Sequence, residues 1–96
     1  MQGLLKSPLV KRDLAEIWSY IAKDSPKNAD KFIDLIDQKL ELIAEFPSLG
    51  ESCDELIKGL RSFPVGNYIV FYFPIQNGAN IIRVIHASRD TSAIFN

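Results

Sequence analysis

Three arginines and one histidine in the C-terminal part of the chain are the side chains best suited to chemistry. Arg61, Arg83 and Arg89 are the only basic residues beyond residue 59, and His86 is the only histidine. Histidine exchanges a proton near neutral pH, and clustered guanidinium groups stabilise the charge that develops in phosphoryl transfer. The same planar groups also bind carboxylates, either those of a partner or that of Asp90. The residues alone leave catalysis, partner binding and, for the lone His86, a structural role open.

Charge is distributed unevenly along the chain, although the formal net charge is only −1. Residues 1–59 carry eight basic and eleven acidic side chains, a net of −3, whereas residues 60–96 carry three arginines and one acid, a net of +2. The net charge argues against general nucleic-acid binding. The imbalance is small enough to arise by chance; interpreted functionally, it predicts a modest basic face for a phosphate backbone or an acidic partner.

Other common kinds of site are not predicted. A single cysteine, Cys53, excludes an intramolecular disulfide and a cysteine-built zinc site, and it has no evident activating neighbour. One histidine cannot form a metal site without carboxylates placed beside it. Glu51, Asp54 and Glu55 are typical of a solvated loop, and neither a phosphate-binding loop nor a nucleophile elbow occurs. We therefore expect no cofactor and no metal.

Two segments have the spacing of amphipathic helices. Ser7-Pro8 and Ser25-Pro26 predict their starts, because serine caps free N–H groups and proline fits the first turn. The apolar stripe of the first helix, expected in the core, is Val10, Leu14, Ile17, Trp18 and Ile21. That of the second, which Pro47 closes, is Ala29, Phe32, Ile33, Ile36, Leu40 and Ile43. The short connection predicts an antiparallel helical hairpin.

Beyond residue 59 the apolar period changes to that of strands. Strands are predicted over residues 60–65, 68–73 and 81–86, with turns at Gly66-Asn67 and Asn77-Gly78. The run 68–73 is apolar on both faces, as in a central strand, and Leu4 with Leu5 would add a short edge strand. We expect an α+β fold in one domain, residues 1–96, with the helical hairpin packed on one face of an antiparallel sheet of three to four strands.

Strand alternation predicts which sheet face each candidate residue occupies. It places His86 with Ile82 and Val84, and it places Arg83 on the opposite face with Ile81 and Ile85. Since antiparallel neighbours lie side by side, Arg61 and Arg83 are expected to share one sheet surface and to cluster positive charge.

Composition is that of a globular protein, with 47% hydrophobic and 24% charged residues. This profile excludes disorder, collagen and coiled coil. The longest apolar run is far shorter than a membrane span, and the first residues lack the apolar core of a signal peptide. We expect a soluble, cytoplasmic protein without a membrane partner.

Three segments together resemble the ParE branch of the RelE/ParE toxin superfamily, the toxins of bacterial type II toxin–antitoxin pairs used in plasmid stabilisation. They are DLAEIWSYIA at Asp13–Ala22, GLRSFPVGNY at Gly59–Tyr68 and RVIHASRD at Arg83–Asp90. Their order and spacing match the family, and the middle segment is the most specific. The resemblance implies a helical hairpin on an antiparallel sheet, in agreement with the fold expected from periodicity. It also implies a cytoplasmic toxin that a flexible segment of a cognate antitoxin wraps and neutralises, in an oligomeric complex.

The resemblance implies one of two activities. ParE-like members poison DNA gyrase by binding, which halts replication and growth, whereas RelE-like members cleave ribosome-bound mRNA through attack by the RNA 2′-hydroxyl. For cleavage, Arg61 and His86, with Arg83 or Arg89, are the candidate catalytic residues; the same three arginines are the candidate partner-binding residues. In RelE-like members, basic groups near the last strand and often a tyrosine close to the C-terminus take part in cleavage. Residues 91–96 contain no tyrosine and no lysine follows Lys58, so the set of catalytic residues expected of a ribonuclease is incomplete. The sequence therefore favours a non-enzymatic gyrase inhibitor, with an mRNA endoribonuclease or a toxin fold without activity as alternatives.

Overall fold

The computed structural model describes residues 3–95 and contains two long helices and a five-stranded sheet. The elements are β1 (Gly3–Lys6), α1 (Pro8–Ala22), α2 (Pro26–Glu45), β2 (Glu51–Ser52), β3 (Arg61–Val65), β4 (Tyr68–Ile75), β5 (Gly78–His86) and α3 (Thr91–Phe95). The predicted helical hairpin, the three strands and the edge strand near Leu4 are confirmed. β2 and α3 are additional elements, too short to produce a recognisable period.

The two helix starts use their serines differently. Ser25 Oγ accepts a hydrogen bond from Asn28 N at 3.1 Å, as expected of an N-cap. The Ser7 side chain makes no such cap; its hydroxyl donates to the Ile82 carbonyl oxygen of β5 at 2.9 Å. The predicted capping role of Ser7 is therefore wrong, because its hydroxyl satisfies a strand carbonyl instead, although α1 still begins at Pro8.

The strands lie in the order β1-β5-β4-β3-β2, so β4 is central, as its apolar sequence predicts. β3, β4 and β5 form an antiparallel meander. β1 pairs in parallel with β5, but only along residues 78–81. Within residues 3–95, the edge of β5 beyond Ile81 therefore has no strand beside it.

Two turns of the meander and the close approach of β1 to β5 each require a particular residue type. Gly66, between β3 and β4, has a φ of 59°, and Asn77, between β4 and β5, has a φ of 61°. Glycine and asparagine adopt this left-handed conformation more readily than other residues do. A Cβ on Gly78 would overlap the Gly3 backbone at its carbonyl oxygen. Only glycine at position 78 therefore lets β1 pack against β5.

A β-bulge changes the faces that the last residues of β5 occupy. The pairing of β5 with β4 skips Ile82, which is the extra residue of the bulge. Ile81 and Val84 consequently both join the helix-facing cluster, while Ile82 and Ile85 pack on the opposite face. The expected grouping of Ile82 with Val84, and of Ile81 with Ile85, is wrong, because strict alternation does not allow for an unpaired residue.

The sheet separates two apolar clusters. The buried residues on the helix side are Val10, Ile17, Ile36, Leu40, Ile43, Val65, Val70, Tyr72, Ala79, Ile81 and Val84. On the other face Cys53, Leu60, Phe71 and Ile85 are buried, with side chains of residues 56–57 and of α3 packed against them. The helices therefore cover one face as predicted, and shorter segments cover part of the second.

Trp18 does not lie in the core. Its side chain is 38% exposed, and its indole N–H donates to Asp30 Oδ1 of α2 at 2.8 Å. Core burial was the wrong prediction, because the ring lies at the rim between the helices, where its polar edge keeps a partner.

Candidate functional site

Asp13 of α1 binds both the backbone and a side chain of β5. Its carboxylate accepts hydrogen bonds from Arg83 Nε and Nη2, at 2.8 and 2.9 Å, and from the Val84 N–H at 3.0 Å. This bidentate pairing is the strongest geometry available to a guanidinium and a carboxylate. The hydrogen bond to Asp13 raises the pKa of Arg83 above its ordinary value, against the opposing effect of burial. Arg83 is therefore a permanent cation committed to an internal partner.

Ser7 and Asp13 together occupy the strand-free edge of β5. Ser7 N donates to the Ile81 carbonyl oxygen at 2.9 Å, and Ser7 Oγ donates to the next carbonyl. Asp13 then binds the Val84 N–H. Unpaired edge groups otherwise accept a strand from another chain, so these contacts make this edge a poor site for strand addition.

His86 ends β5 beside Tyr68 of β4, with the two rings perpendicular and their centroids 5.1 Å apart. The Ser88 N–H donates to His86 Nδ1 at 3.1 Å, and Ser88 Oγ lies 2.7 Å from the same nitrogen. A backbone N–H can only donate, so Nδ1 is the acceptor and the neutral ring carries its proton on Nε2. The loop therefore holds the His86 ring through Nδ1, which leaves Nε2 as its other hydrogen-bonding atom.

An aromatic pocket of about 370 Å³ lies next to His86. It is lined mainly by Tyr20 of α1, Phe32 of α2 and Tyr68 of β4, and the ring centroids of Phe32 and Tyr68 are 5.5 Å apart. Burial raises the pKa of Tyr68, and the charge that Tyr20 can carry raises it further. Tyr68 is therefore neutral at physiological pH.

Arg89 lies in the exposed loop between β5 and α3. Its side chain lines two depressions of about 160 and 240 Å³, both of which also contact Asp13 and Glu16. Arg12 pairs with Glu16 at 3.4 Å, and Arg83 pairs with Asp13. Within residues 3–95 the Arg89 guanidinium has no hydrogen-bond or ion-pair partner, so its charge is available to a ligand.

The two depressions and the aromatic pocket share lining residues and form one concave surface, the α1–β5 groove. Its lining residues are Leu9, Arg12, Asp13, Glu16, Ile17, Tyr20, Ile21, Phe32, Gly66, Asn67, Tyr68, Arg83, Val84, Ile85, His86 and Arg89. The groove brings together three of the four candidate residues of the sequence, Arg83, His86 and Arg89.

Arg61, the fourth candidate, serves a different region. On β3, its Nε donates to the Gly50 carbonyl oxygen at 2.9 Å and its Nη2 donates to the Ser48 carbonyl oxygen at 3.1 Å. These contacts hold the segment that follows α2. β4 lies between the strands of Arg61 and Arg83, and the two arginines have separate partners. The expected cluster of their positive charges is therefore not formed.

The other residues considered in the sequence, three acidic residues and Cys53, lie outside the α1–β5 groove. Glu51, Asp54 and Glu55 are exposed, as expected of a solvated segment, and Asp54 accepts a hydrogen bond from the Gly59 N–H at 2.8 Å. Cys53 is buried, with its sulfur 3.2 Å from Ser62 Oγ. No group of three metal-ligating side chains occurs in the described part of the chain. Among the described helices, none is long and apolar enough to span a membrane.

Asp13 and the aromatic pocket were not identified from the sequence. Asp13 was detectable, because it interrupts the apolar stripe of α1 between Val10 and Ile17, where a charged side chain is buried only with a partner. The pocket was not, since Tyr20 and Phe32 come from two helices and meet Tyr68 only in the packed fold.

The fold and the sequence match a known class of bacterial protein. Residues 4–91 match the family model described as "ParE toxin of type II toxin-antitoxin system, parDE". The chain is 32% identical to Toxin ParE1 of Caulobacter vibrioides over 84 residues, 86% of each chain. It is 27% identical over 88 residues to Toxin ParE1 of Mycobacterium tuberculosis, covering 90% of each chain, and to Toxin RelE3 of Caulobacter vibrioides, covering 91% of this chain and 96% of that one.

A solved structure titled "Chromosomal ParDE TA system from P. aeruginosa" has the same fold, with a TM-score of 0.75 at 17% identity over 90% of this chain and 96% of that one. These matches confirm the resemblance found in the sequence. The chain belongs to the ParE toxin family: it is a ParE-type toxin of a type II toxin–antitoxin system.

Proposed function

We propose that this toxin arrests growth by binding and inhibiting DNA gyrase, that it does so without catalysing a reaction, and that a cognate antitoxin neutralises it. It acts as one domain in the cytoplasm, where its target works, and forms an oligomeric complex with the antitoxin. The observation that carries the proposal is the commitment of Arg61 and Arg83, two of the four candidate catalytic groups, to internal hydrogen bonds.

RNA cleavage by a 2′-hydroxyl requires a base, an acid and a charge-stabilising group that converge on one phosphate. Arg61 binds the carbonyl oxygens that follow α2, and Arg83 binds Asp13. His86 Nδ1 is occupied by Ser88. A substrate would have to displace these contacts before Arg61 or Arg83 could act on it, and it could reach His86 only through Nε2, which supports inhibition by binding.

Endoribonuclease activity is the alternative, and one feature of the site favours it. Tyr68, His86 and Arg89 line a single depression, so a proton donor and an unpaired guanidinium lie in the same place. One relative carries the name RelE3. If the toxin cleaves ribosome-bound mRNA, His86→Ala or Arg61→Ala is expected to slow cleavage by about 10²-fold or more.

Two assays on the same preparation of toxin separate these functions. The first follows supercoiling by purified gyrase, and the second follows cleavage of mRNA on programmed ribosomes. The proposal predicts inhibition of supercoiling and intact mRNA, with toxin already saturated by antitoxin as the inactive control. Normal supercoiling at excess toxin would contradict gyrase inhibition. Cleavage that is lost in His86→Ala would establish the alternative.

A further inference from the structure

The α1–β5 groove has an apolar end and a cationic end, and this combination defines what it can bind. We propose that it receives an acidic, amphipathic segment of the antitoxin. One apolar side chain of the segment enters the pocket between Tyr20, Phe32 and Tyr68, and one carboxylate pairs with Arg89. The inference rests on the proposed neutralisation by an antitoxin and adds the chemistry of the contact.

The apolar end has the size and lining of a side-chain pocket. Its volume of about 370 Å³ falls within the range of about 300–1,000 Å³ that is typical of ligand sites. Tyr20 is 68% exposed, although it is a large aromatic residue. Gly66 forms part of the wall, and a Cβ there would approach the Phe32 ring to 3.2 Å. The Lys23 ammonium lies 6.0 Å from the Tyr20 ring centroid. The rest of the aromatic surface lies beside a wall that carries no side chain at Gly66, which favours an apolar or aromatic side chain of the partner.

The cationic end carries one uncompensated positive charge. Asp13 is neutralised by Arg83, and Glu16 pairs with Arg12. The adjacent Asp90 does not pair with Arg89 either, because its carboxylate binds Ser92 at the start of α3. Arg89 is left to bind a carboxylate of the partner with its planar, bidentate group.

The same charges favour a protein segment over a nucleic acid. A phosphate backbone is held by several cations, whereas Arg89 is flanked by the carboxylates of Asp13 and Glu16 in the same depressions. Arg12 and Arg83 are already paired with these two acids, so only Arg89 remains in these depressions for a polyanion that needs several cations. A single carboxylate needs only Arg89.

The spacing along α1 sets the pattern to be sought in the antitoxin. Tyr20 lines the apolar end, and Glu16, one turn earlier, lines the cationic end. Four residues of helix correspond to about 6 Å. The apolar residue and the acid of the partner are therefore expected three or four positions apart in a helix, or two apart in an extended segment.

The test measures the affinity of purified toxin variants for the cognate antitoxin by calorimetry. Arg89→Glu and Tyr20→Ser are each expected to weaken binding by about tenfold or more. Both side chains are exposed, and Arg89 has no internal partner, so the variants should fold; circular dichroism checks this. Lys58→Glu is the matched control, because Lys58 is exposed outside the groove and undergoes the same change of charge.

Antitoxin binding within twofold of wild type in both groove variants would overturn the inference, as would an equal loss in Lys58→Glu. Replacing one antitoxin carboxylate by lysine should restore binding to Arg89→Glu. A fluorescent 20-nucleotide oligouridine is the second probe; tight binding that is lost in Arg89→Glu would assign the groove to RNA. If wild-type toxin binds no antitoxin, the neutralisation proposal itself fails, a result distinct from binding that ignores Arg89.

Discussion

Asp13 and Arg83 lie 70 positions apart in the chain and form a bidentate ion pair across the gap between α1 and β5, with N–O distances of 2.8 and 2.9 Å. The same carboxylate binds the Val84 N–H. One side chain thus fixes the first helix against the strand that leads to His86 and Arg89. The pair lines the α1–β5 groove and fixes the position of α1 relative to β5.

Loss of the Asp13 carboxylate should destabilise the fold strongly. In Asp13→Ala the Val84 N–H and the Arg83 guanidinium lose their partner, and breaking a buried pair costs about 3–5 kcal/mol. Since the Arg83 side chain is 21% exposed and can reach water, we expect the lower end of that range in the free energy of unfolding, measured in urea. Arg12→Ala breaks an exposed pair and should cost about 0.5 kcal/mol or less; equal effects would contradict this account.

The Tyr72 hydroxyl joins the centre of the sheet to the segment after α2. It donates to the Pro47 carbonyl oxygen at 2.7 Å and accepts from the Gly50 N–H at 2.8 Å. Tyr72→Phe leaves these buried backbone groups unpaired, which should lower the free energy of unfolding by about 1–3 kcal/mol. The exposed Tyr20 offers the control, and Tyr20→Phe should be close to neutral. A neutral Tyr72→Phe would show that water replaces the hydroxyl.

The close approach at Gly78 predicts a difference between two glycines of the same strand pair. Gly78→Ala places a Cβ on the Gly3 backbone, whereas a Cβ on Gly3 would lie no closer than 3.8 Å to its nearest neighbour. Gly78→Ala should therefore displace β1 and cost about 1–3 kcal/mol, while Gly3→Ala should be tolerated. Hydrogen exchange of the β1 amides distinguishes the two variants. If these amides are protected in Gly78→Ala as well as in the wild type, the predicted steric overlap does not occur.

Tyr68 makes stability depend on pH at the alkaline end. Its pKa is raised by burial, and then by Tyr20, above the ordinary value of 10.0. A raised pKa in the folded state means that the native protein keeps its proton when the unfolded chain has lost it. The stabilisation is complete below pH 10 and falls as pH rises through the folded pKa. Stability of the wild type should therefore decline more steeply above pH 10 than that of Tyr68→Phe; parallel curves would contradict the shift.

The architecture could be predicted from sequence wherever the period was regular. The apolar stripes of α1 and α2 have the regular spacing of helices, and the β4 segment is apolar on both faces, as in a central strand. The structure confirms the elements that these patterns predict. Trp18 was wrongly assigned to the core. Helical spacing identifies the apolar side of α1, but it does not show which part of that side the second helix covers.

The candidate site could be predicted only in part. Strand alternation failed at Ile82, because a bulge adds one residue without any local signal. The roles of Arg61 and Arg83 depend on backbone carbonyls and on a carboxylate that are distant in sequence. The aromatic pocket is likewise a product of packing between elements. His86 and Arg89 were identified because their residue types are scarce beyond residue 59.

The most direct test of the central claim is a brief induction of the toxin in bacteria that lack the antitoxin. Rates of DNA and protein synthesis are followed over the first minutes, with soluble toxin monitored in the same cells. If the toxin inhibits gyrase, DNA synthesis falls first while mRNA stays intact. If protein synthesis falls first and mRNA is cleaved, the toxin is a ribonuclease, and the internal hydrogen bonds of Arg61 and His86 do not prevent catalysis.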